Sequence, residues 1–394
     1  MENEEILVRK TDIWEDDSMR IAVFAPTPPW IVRSGLETVA FESAKNLRMR
    51  GHQVDMVCLS SKGKRTEVRD GVRVFYSGKK INTGIPALDH LLNSLMHLLT
   101  SHAGIREKYD VLYVHKGIAI PQLLWKTPSV KYSYGEFLHW SPVTLTNTAI
   151  DMFDIYTSKK VIACSEFAES QIKGFPGMKQ RVAMITPGTY TRYFRPMGGD
   201  KKLKKKLGIR NENVIIFAGR VTESKGCGDL IEIAAAVARE NPDTKFLFVG
   251  KYDTSYASNL LKKAETHGIK NNVVFAGDAD YYEMPKYYGL SDIQVLPSHM
   301  EAFGMVNIEA QSCGLPSIAY DTGGVSSSIK NGVTGYLVKM GDKKAFAQKI
   351  NFLLNNEKAR ARMGKAGRER AKKEFDWSII AEKTEKVLME AAAE

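Results

Sequence analysis

The chain has no apolar run approaching the roughly 20 residues that a bilayer-spanning helix needs, and no signal-peptide pattern opens it, so a cytoplasmic protein is expected. Cysteine is scarce. Cys58, Cys164, Cys227 and Cys313 are scattered among apolar or small residues and form no C-x-x-C pair. That pattern reads as reduced thiols and excludes a disulfide framework or a cysteine zinc site. The loop from Pro26 to Gly35 lacks G-x-G-x-x-G, so a dinucleotide cofactor is not supported. Asp278-Ala-Asp280 has the form of a D-x-D metal motif, but three residues are a weak signal, and they read as loop chemistry. His299 has no ligand partner at useful spacing, and no essential metal is expected.

What is present is an ordinary soluble composition, 43% hydrophobic and 26% charged over 394 residues, which suits two domains of roughly 180 residues each. Residues 1–18 hold seven acids against Arg9 and Lys10 and read as an acidic tail, or as an extension upstream of a start at Met19. The whole chain carries +11, the tail −5 and the remainder therefore +16. Such a surplus draws anionic partners: a phospholipid surface, a phosphorylated acceptor or nucleic acid. The densest run, Lys201–Lys206, lacks interleaved aromatics and reads as a solvated helix or linker, so nucleic acid is not expected.

Apolar strands are readable at 20–25, 53–59, 72–76, 110–114, 129–133 and 160–164, with a first helix at about 36–49 closed by Gly51. A second set appears at 213–218, 245–249, 272–276, 292–296 and 316–320, followed by a strand at 336–339 and helices at about 343–354, 357–372 and 377–393. Strands alternating with helices imply parallel sheets, and two successive sets imply two doubly wound domains. The expected division is a tail at 1–18, a first domain at 19–190 joined by a C-terminal helix at 376–394, and a second domain at 191–375, with a hinge near Pro187–Pro196. Leu88, Leu91, Leu92, Leu95, Met96 and Leu99 recur at helical spacing in 86–103; the polar face carries no Lys or Arg, so packing in the first domain is expected rather than lipid contact.

The most informative stretch runs from Asp292 to Gly324. A short strand stopped by Pro297 leads to a helix expected over about 303–313, and a second strand runs into Asp321-Thr322-Gly323-Gly324. Glu301 precedes the helix and Glu309 lies eight residues on, inside it. Between them Phe303, Gly304 and Met305 offer free backbone N–H groups at a helix N-terminus, a ready site for a phosphate. An anion cradle flanked by two hydroxyl-accepting carboxylates suits a nucleotide sugar.

This stretch resembles the E-x7-E signature of the family-4 retaining glycosyltransferases, and the match extends into P-S…E-A-F-G and E-A…C-G-x-P. Gly219-Arg220 followed by Lys225-Gly226 resembles the family's G-R…K-G segment. The resemblance implies the GT-B fold: an α/β chain of two doubly wound Rossmann-like domains facing across a cleft, with the C-terminal helix crossing back to the first domain near Phe375 and Trp377. It also implies roles. Arg220 and Lys225 would stabilise the leaving diphosphate, Glu301 and the 303–305 backbone would hold the hexose, and Glu309 the ribose hydroxyls. The donor would be a UDP- or GDP-sugar serving as co-substrate, with no separate cofactor. The acceptor would be a sugar, a polyol phosphate or a glycolipid, with peripheral contact at the inner face of an anionic membrane.

Two departures stand out. The family's double glycine in the first loop is Ser34-Gly35 here, leaving Gly35 for backbone approach to the donor phosphate. Where many relatives carry His-Gly beside the donor sugar, this chain has Tyr134-Gly135; Tyr134 hydrogen-bonds but is a poor proton carrier near neutral pH, and His115 or His139 are candidate substitutes. A sugar-nucleotide epimerase of the same architecture, or a non-catalytic nucleotide-sugar-binding subunit, stands as the alternative to a transferase.

Overall fold

The computed structural model of the chain describes residues 18–31, 34–60, 65–79, 83, 92, 109–115, 127–135 and 151–394. The acidic tail up to residue 17, the leucine pattern of 86–103 apart from Leu92, and His139 lie outside the described residues. By contact density the chain divides into two compact units, Met1–Val130 with Leu388–Glu394, and Lys131–Val387. Residues 187–196, read from the sequence as a hinge, lie inside the second unit. Among the described residues no helix is long and apolar enough to cross a membrane.

In the first unit, β1 (Arg20–Phe24), α1 (Gly35–Met49), β2 (Gln53–Ser60), β3 (Arg65–Arg69), β4 (Val72–Lys79) and β5 (Val111–Val114) follow in order. The strands lie side by side as β3-β4-β2-β1-β5. All neighbours run parallel except the β3–β4 pair. Ile21 to Phe24 and Val111 to Val114 are buried without alternation, as strands covered on both faces must be. Strand β3 escaped sequence reading because its burial pattern is almost wholly exposed, so no hydrophobic period marks it.

The second unit begins with β6 (Ser129–Ser133), which straddles the division, then β7 (Lys160–Ala163), α2 (Glu166–Lys173) and β8 (Val182–Met184). Next come α3 (Lys201–Lys206), β9 (Asn213–Ala218), α4 (Cys227–Glu240), β10 (Thr244–Val249), α5 (Thr254–Thr266), β11 (Val273–Gly277) and α6 (Met284–Tyr288). The chain continues through β12 (Ile293–Leu296), α7 (Met305–Ser312), β13 (Ser317–Asp321), α8 (Val325–Ser328), β14 (Gly335–Lys339), α9 (Lys343–Leu354), α10 (Glu357–Glu374) and α11 (Trp377–Ala393). Strands β9 to β14 form a six-stranded sheet ordered β11-β10-β9-β12-β13-β14. Its pairings are parallel throughout. Alternate residues of β9 serve opposite cores: Ile215 and Phe217 face one, Val214, Ile216 and Ala218 the other. The strand order turns at the β9–β12 boundary, because β10 and β11 extend one way and β13 and β14 the other. Ligands of open α/β sheets bind beyond the strand C-termini at such a switch point.

Candidate active site

Two strand ends converge at that switch point. Beyond β9, Gly219-Arg220 leads to a 3-10 turn, Glu223–Lys225, and then to Gly226 in the left-handed region at φ 68. A side chain at Gly226 would place Cβ 1.8 Å from the Pro297 carbonyl oxygen, so the K-G pair needs glycine both for its dihedral and for its space. This approach lays the turn against the loop that leaves β12. The His299 N–H donates to the Ser224 carbonyl at 3.0 Å, and Lys225 Nζ reaches Glu301 Oε2 at 2.6 Å. Lys225 and Glu301 are 76 residues apart, and their side chains keep 23% and 17% exposure. Arg220 is exposed and makes no ion pair among the described residues.

Helix α7 starts at Met305, two residues later than the sequence suggested. Gly304 stands before it with φ 88 and ψ 64, and the Phe303 side chain is turned into a small core with Ile308 and Phe375. Its ring meets Phe375 edge-on at 5.8 Å. A non-helical pair therefore precedes the helix, and the N–H groups of Phe303, Gly304 and Met305 donate to no protein group among the described residues. The backbone donors that the sequence offered as an anion cradle thus lie unpaired close in the chain to Glu301.

Glu309 lies on the inward side of α7 and is 6% exposed. Tyr288, buried on α6, donates its hydroxyl to Glu309 Oε2 at 3.1 Å. Burial pushes the Glu309 carboxyl up to about 7, and the Tyr288 hydrogen bond offsets that only in part. Helix α10 backs α7 closely. A Cβ on Gly364 would stand 2.0 Å from the Gly314 carbonyl, and Arg368 donates to Ser312 and to the carbonyls of Thr191 and Phe194.

One network was invisible in the sequence because its members come from four elements. Asp229 and Glu232 on α4 share Lys343 at 3.0 and 2.7 Å, Lys263 meets Glu232 at 2.6 Å, and His299 lies 3.1 Å from Asp229. Burial opposes the Asp229 charge, but the Lys343 and His299 hydrogen bonds outweigh it and hold the carboxyl below its usual range. His299, two residues before Glu301, thereby anchors the loop rather than standing alone. Asp280 accepts the Tyr282 N–H at 3.0 Å and caps a short turn.

Tyr134 is half-buried, its ring 5.1 Å from that of Tyr132. Gly135 follows at φ 73, with no room for a Cβ against Ala168 on α2. Lys131, on the same strand, is buried with Asp151 at 2.8 Å and Asp154 at 3.3 Å. In the first unit His115 is buried, with its ring 4.5 Å from Tyr113. Gly35 opens α1 with an ordinary helical backbone and is exposed, so no left-handed dihedral demands glycine there. Glu37 in the first turn accepts hydrogen bonds from Ser34 and Thr27.

Two family profiles match the chain: "Glycosyl transferases group 1" over residues 199–370 and "Glycosyltransferase Family 4" over residues 33–192. A D-inositol 3-phosphate glycosyltransferase from Segniliparus rotundus is 33% identical over 207 residues, covering 52% of this chain and 45% of that protein. Among solved structures, sucrose-phosphate synthase from Thermosynechococcus elongatus superposes with a TM-score of 0.80 at 21% identity, covering 95% of this chain and 99% of that one. HepE from Anabaena, solved in complex with UDP-glucose, superposes with a TM-score of 0.77 at 21% identity, covering 94% and 100%. The fold these neighbours share with the chain is GT-B.

Proposed function

The chain belongs to family 4 of the glycosyltransferases, and from that premise we propose that it is a retaining enzyme moving a hexose from a nucleotide-diphosphate sugar to an acceptor hydroxyl. The observation that carries this reading is the Lys225–Glu301 pair at 2.6 Å beside three unpaired backbone N–H groups. A cation, a carboxylate and backbone donors together suit a sugar diphosphate, which brings anionic oxygens and hydroxyls to one place.

In the step proposed, the bond from the anomeric carbon to the diphosphate oxygen breaks and its electron pair stays with the leaving diphosphate. Arg220 and Lys225 stabilise the charge that develops there. The acceptor oxygen bonds the anomeric carbon on the same face, and its proton passes to the departing diphosphate, so no protein general base is assigned. Glu301 and the 303–305 backbone hold the hexose, Glu309 the ribose hydroxyls, and Tyr134 a donor-sugar hydroxyl.

A UDP- or GDP-sugar is the proposed donor, supported by the UDP-glucose complex of HepE. The acceptor class remains a sugar, a polyol phosphate or a glycolipid; the name of the Segniliparus relative supports the polyol phosphate. The positive surplus supports peripheral contact with an anionic membrane from the cytoplasm. Because Arg220 and Lys225 balance the diphosphate, transfer is expected to survive EDTA; inhibition reversed by magnesium or manganese would assign a metal to the site.

The test is ligand-detected binding across UDP-, GDP- and ADP-sugars, followed by transfer to simple sugar, polyol phosphate and glycolipid acceptors. Binding with transfer and a retained anomeric configuration supports the proposal. Binding without transfer or hydrolysis would instead indicate a non-catalytic subunit, and conversion of the donor sugar without an acceptor an epimerase.

A further inference from the structure

Gly324 has an unremarkable backbone, φ −92 and ψ 12, that any residue can adopt. What it lacks is space. A Cβ there would stand 1.9 Å from the Ala302 carbonyl oxygen, 2.4 Å from Ser165 Oγ and 2.6 Å from Ser165 Cβ. Its N–H donates to the Glu301 carbonyl at 2.9 Å. The neighbouring Gly323 is as tight, with a Cβ that would fall 2.2 Å from the same Glu301 oxygen. Thr322 completes the contact by donating its hydroxyl to the Ser298 carbonyl at 3.0 Å. The Thr322–Gly324 turn thus grips the main chain of the loop that presents Glu301.

The other side of Gly324 is equally occupied. Ser165 is fully buried and caps α2, its Oγ accepting the Ala168 N–H at 3.3 Å. The Glu166 N–H donates to Ser327 Oγ at 2.9 Å, and Cys164 Sγ donates to the Ala302 carbonyl at 3.6 Å. Three segments, 164–166, 301–302 and 323–327, therefore meet with a single missing side chain between them.

We propose that Gly324, seated between Ala302 and Ser165, is a positioning residue that holds the Glu301–Ala302 main chain, and with it the Lys225–Glu301 pair, in register for the transfer step. The proposal rests on the role given to Glu301 above. Its magnitude follows from the geometry. A Cβ atom essentially never lies within 3.0 Å of a non-bonded heavy atom, so one built at 1.9 Å must push the segments apart by about 1 Å. A misplacement of about 1 Å in a reacting constellation costs on the order of 100-fold in rate.

The experiment compares the full-length wild type with Gly324→Ala and with the double variant Ser165→Gly, Gly324→Ala. The second change removes both Ser165 atoms and lets the new methyl move away from Ala302, while glycine remains an acceptable helix cap. Turnover of Gly324→Ala is expected to fall on the order of 100-fold, with affinity for the free nucleoside diphosphate near wild type and a melting temperature lowered by the overpacking. The double variant should regain part of that loss. Equal losses of nucleotide affinity and turnover, or unchanged turnover, would overturn the proposal. Amide hydrogen exchange of residues 298–304 in the ligand-free proteins provides a readout independent of activity: it should rise in Gly324→Ala and fall back toward wild type in the double variant. Should the wild type transfer no sugar, the function proposed above fails, and this exchange pattern alone decides the clamp. Should Gly324→Ala not fold, the double variant decides: turnover below wild type at wild-type affinity for the nucleoside diphosphate supports the proposal, and any other pattern overturns it.

Discussion

Replacing Glu309 by glutamine tests the burial of this carboxyl most directly. In the folded protein burial lifts its pKa from 4.5 to about 7, whereas the unfolded chain keeps the ordinary value. Between those two values the folded state binds more protons than the unfolded state, so stability falls as pH rises. At 1.36 kcal/mol per pH unit the loss reaches about 3 kcal/mol once the pH exceeds 7. It is absent below about 4.5. Glutamine keeps an oxygen to accept the Tyr288 hydroxyl but never ionises. The stability of Glu309→Gln relative to wild type should therefore improve by about 3 kcal/mol from pH 4.5 to pH 8. At about 2.1 cal/mol/K of unfolding entropy per residue, this is about 4 °C in melting temperature for a chain of 394 residues. Thermal or urea melts of both proteins at pH 5, 6, 7 and 8 measure it, and taking the difference removes the titrations the two proteins share. A difference that does not change with pH would refute the reasoning. Ribose hydroxyls donating to the carboxylate would favour its ionised form, so nucleoside diphosphate binding near pH 6 should release close to one proton in wild type and none from this position in the variant. Calorimetry in buffers of different ionisation enthalpy reads that release.

Arg220→Ala and Lys225→Ala should each weaken transfer by about 2–4 kcal/mol of transition-state stabilisation; wild-type rates in folded variants would remove them from the site. Glu301→Gln should spare the affinity for free nucleoside diphosphate and damage transfer, whereas Glu309→Gln should weaken that affinity; equal losses in both would contradict the division of roles. Tyr134→Phe should lower turnover more than it weakens binding of the bare nucleotide; a purely thermal effect of the substitution would make Tyr134 structural.

The parallel α/β architecture was legible in the residues themselves. Runs such as Ile21 to Phe24 and Val214 to Ala218 are buried on both faces, and a continuously apolar segment broken by glycine or proline announces that without any partner being known. The same holds for the candidate site where its members lie close in sequence: Gly304, Met305 and Glu309 are placed by one strand-to-helix turn, so spacing alone brings them near each other. Local pattern failed where burial did not follow a period. Strand β3 is exposed and exists through its antiparallel pairing with β4, and α7 begins late because Phe303 is drawn into a core with Phe375, 72 residues away in the chain. Distances across the fold belonged to tertiary structure entirely. That Lys225 meets Glu301, that His299 is held by Asp229, and that Gly324 must be bare because Ala302 and Ser165 press on it are consequences of which strand ends become neighbours. The Glu309 pKa is of the same kind: a glutamate's composition is fixed, but its proton affinity is set by the water that packing removes.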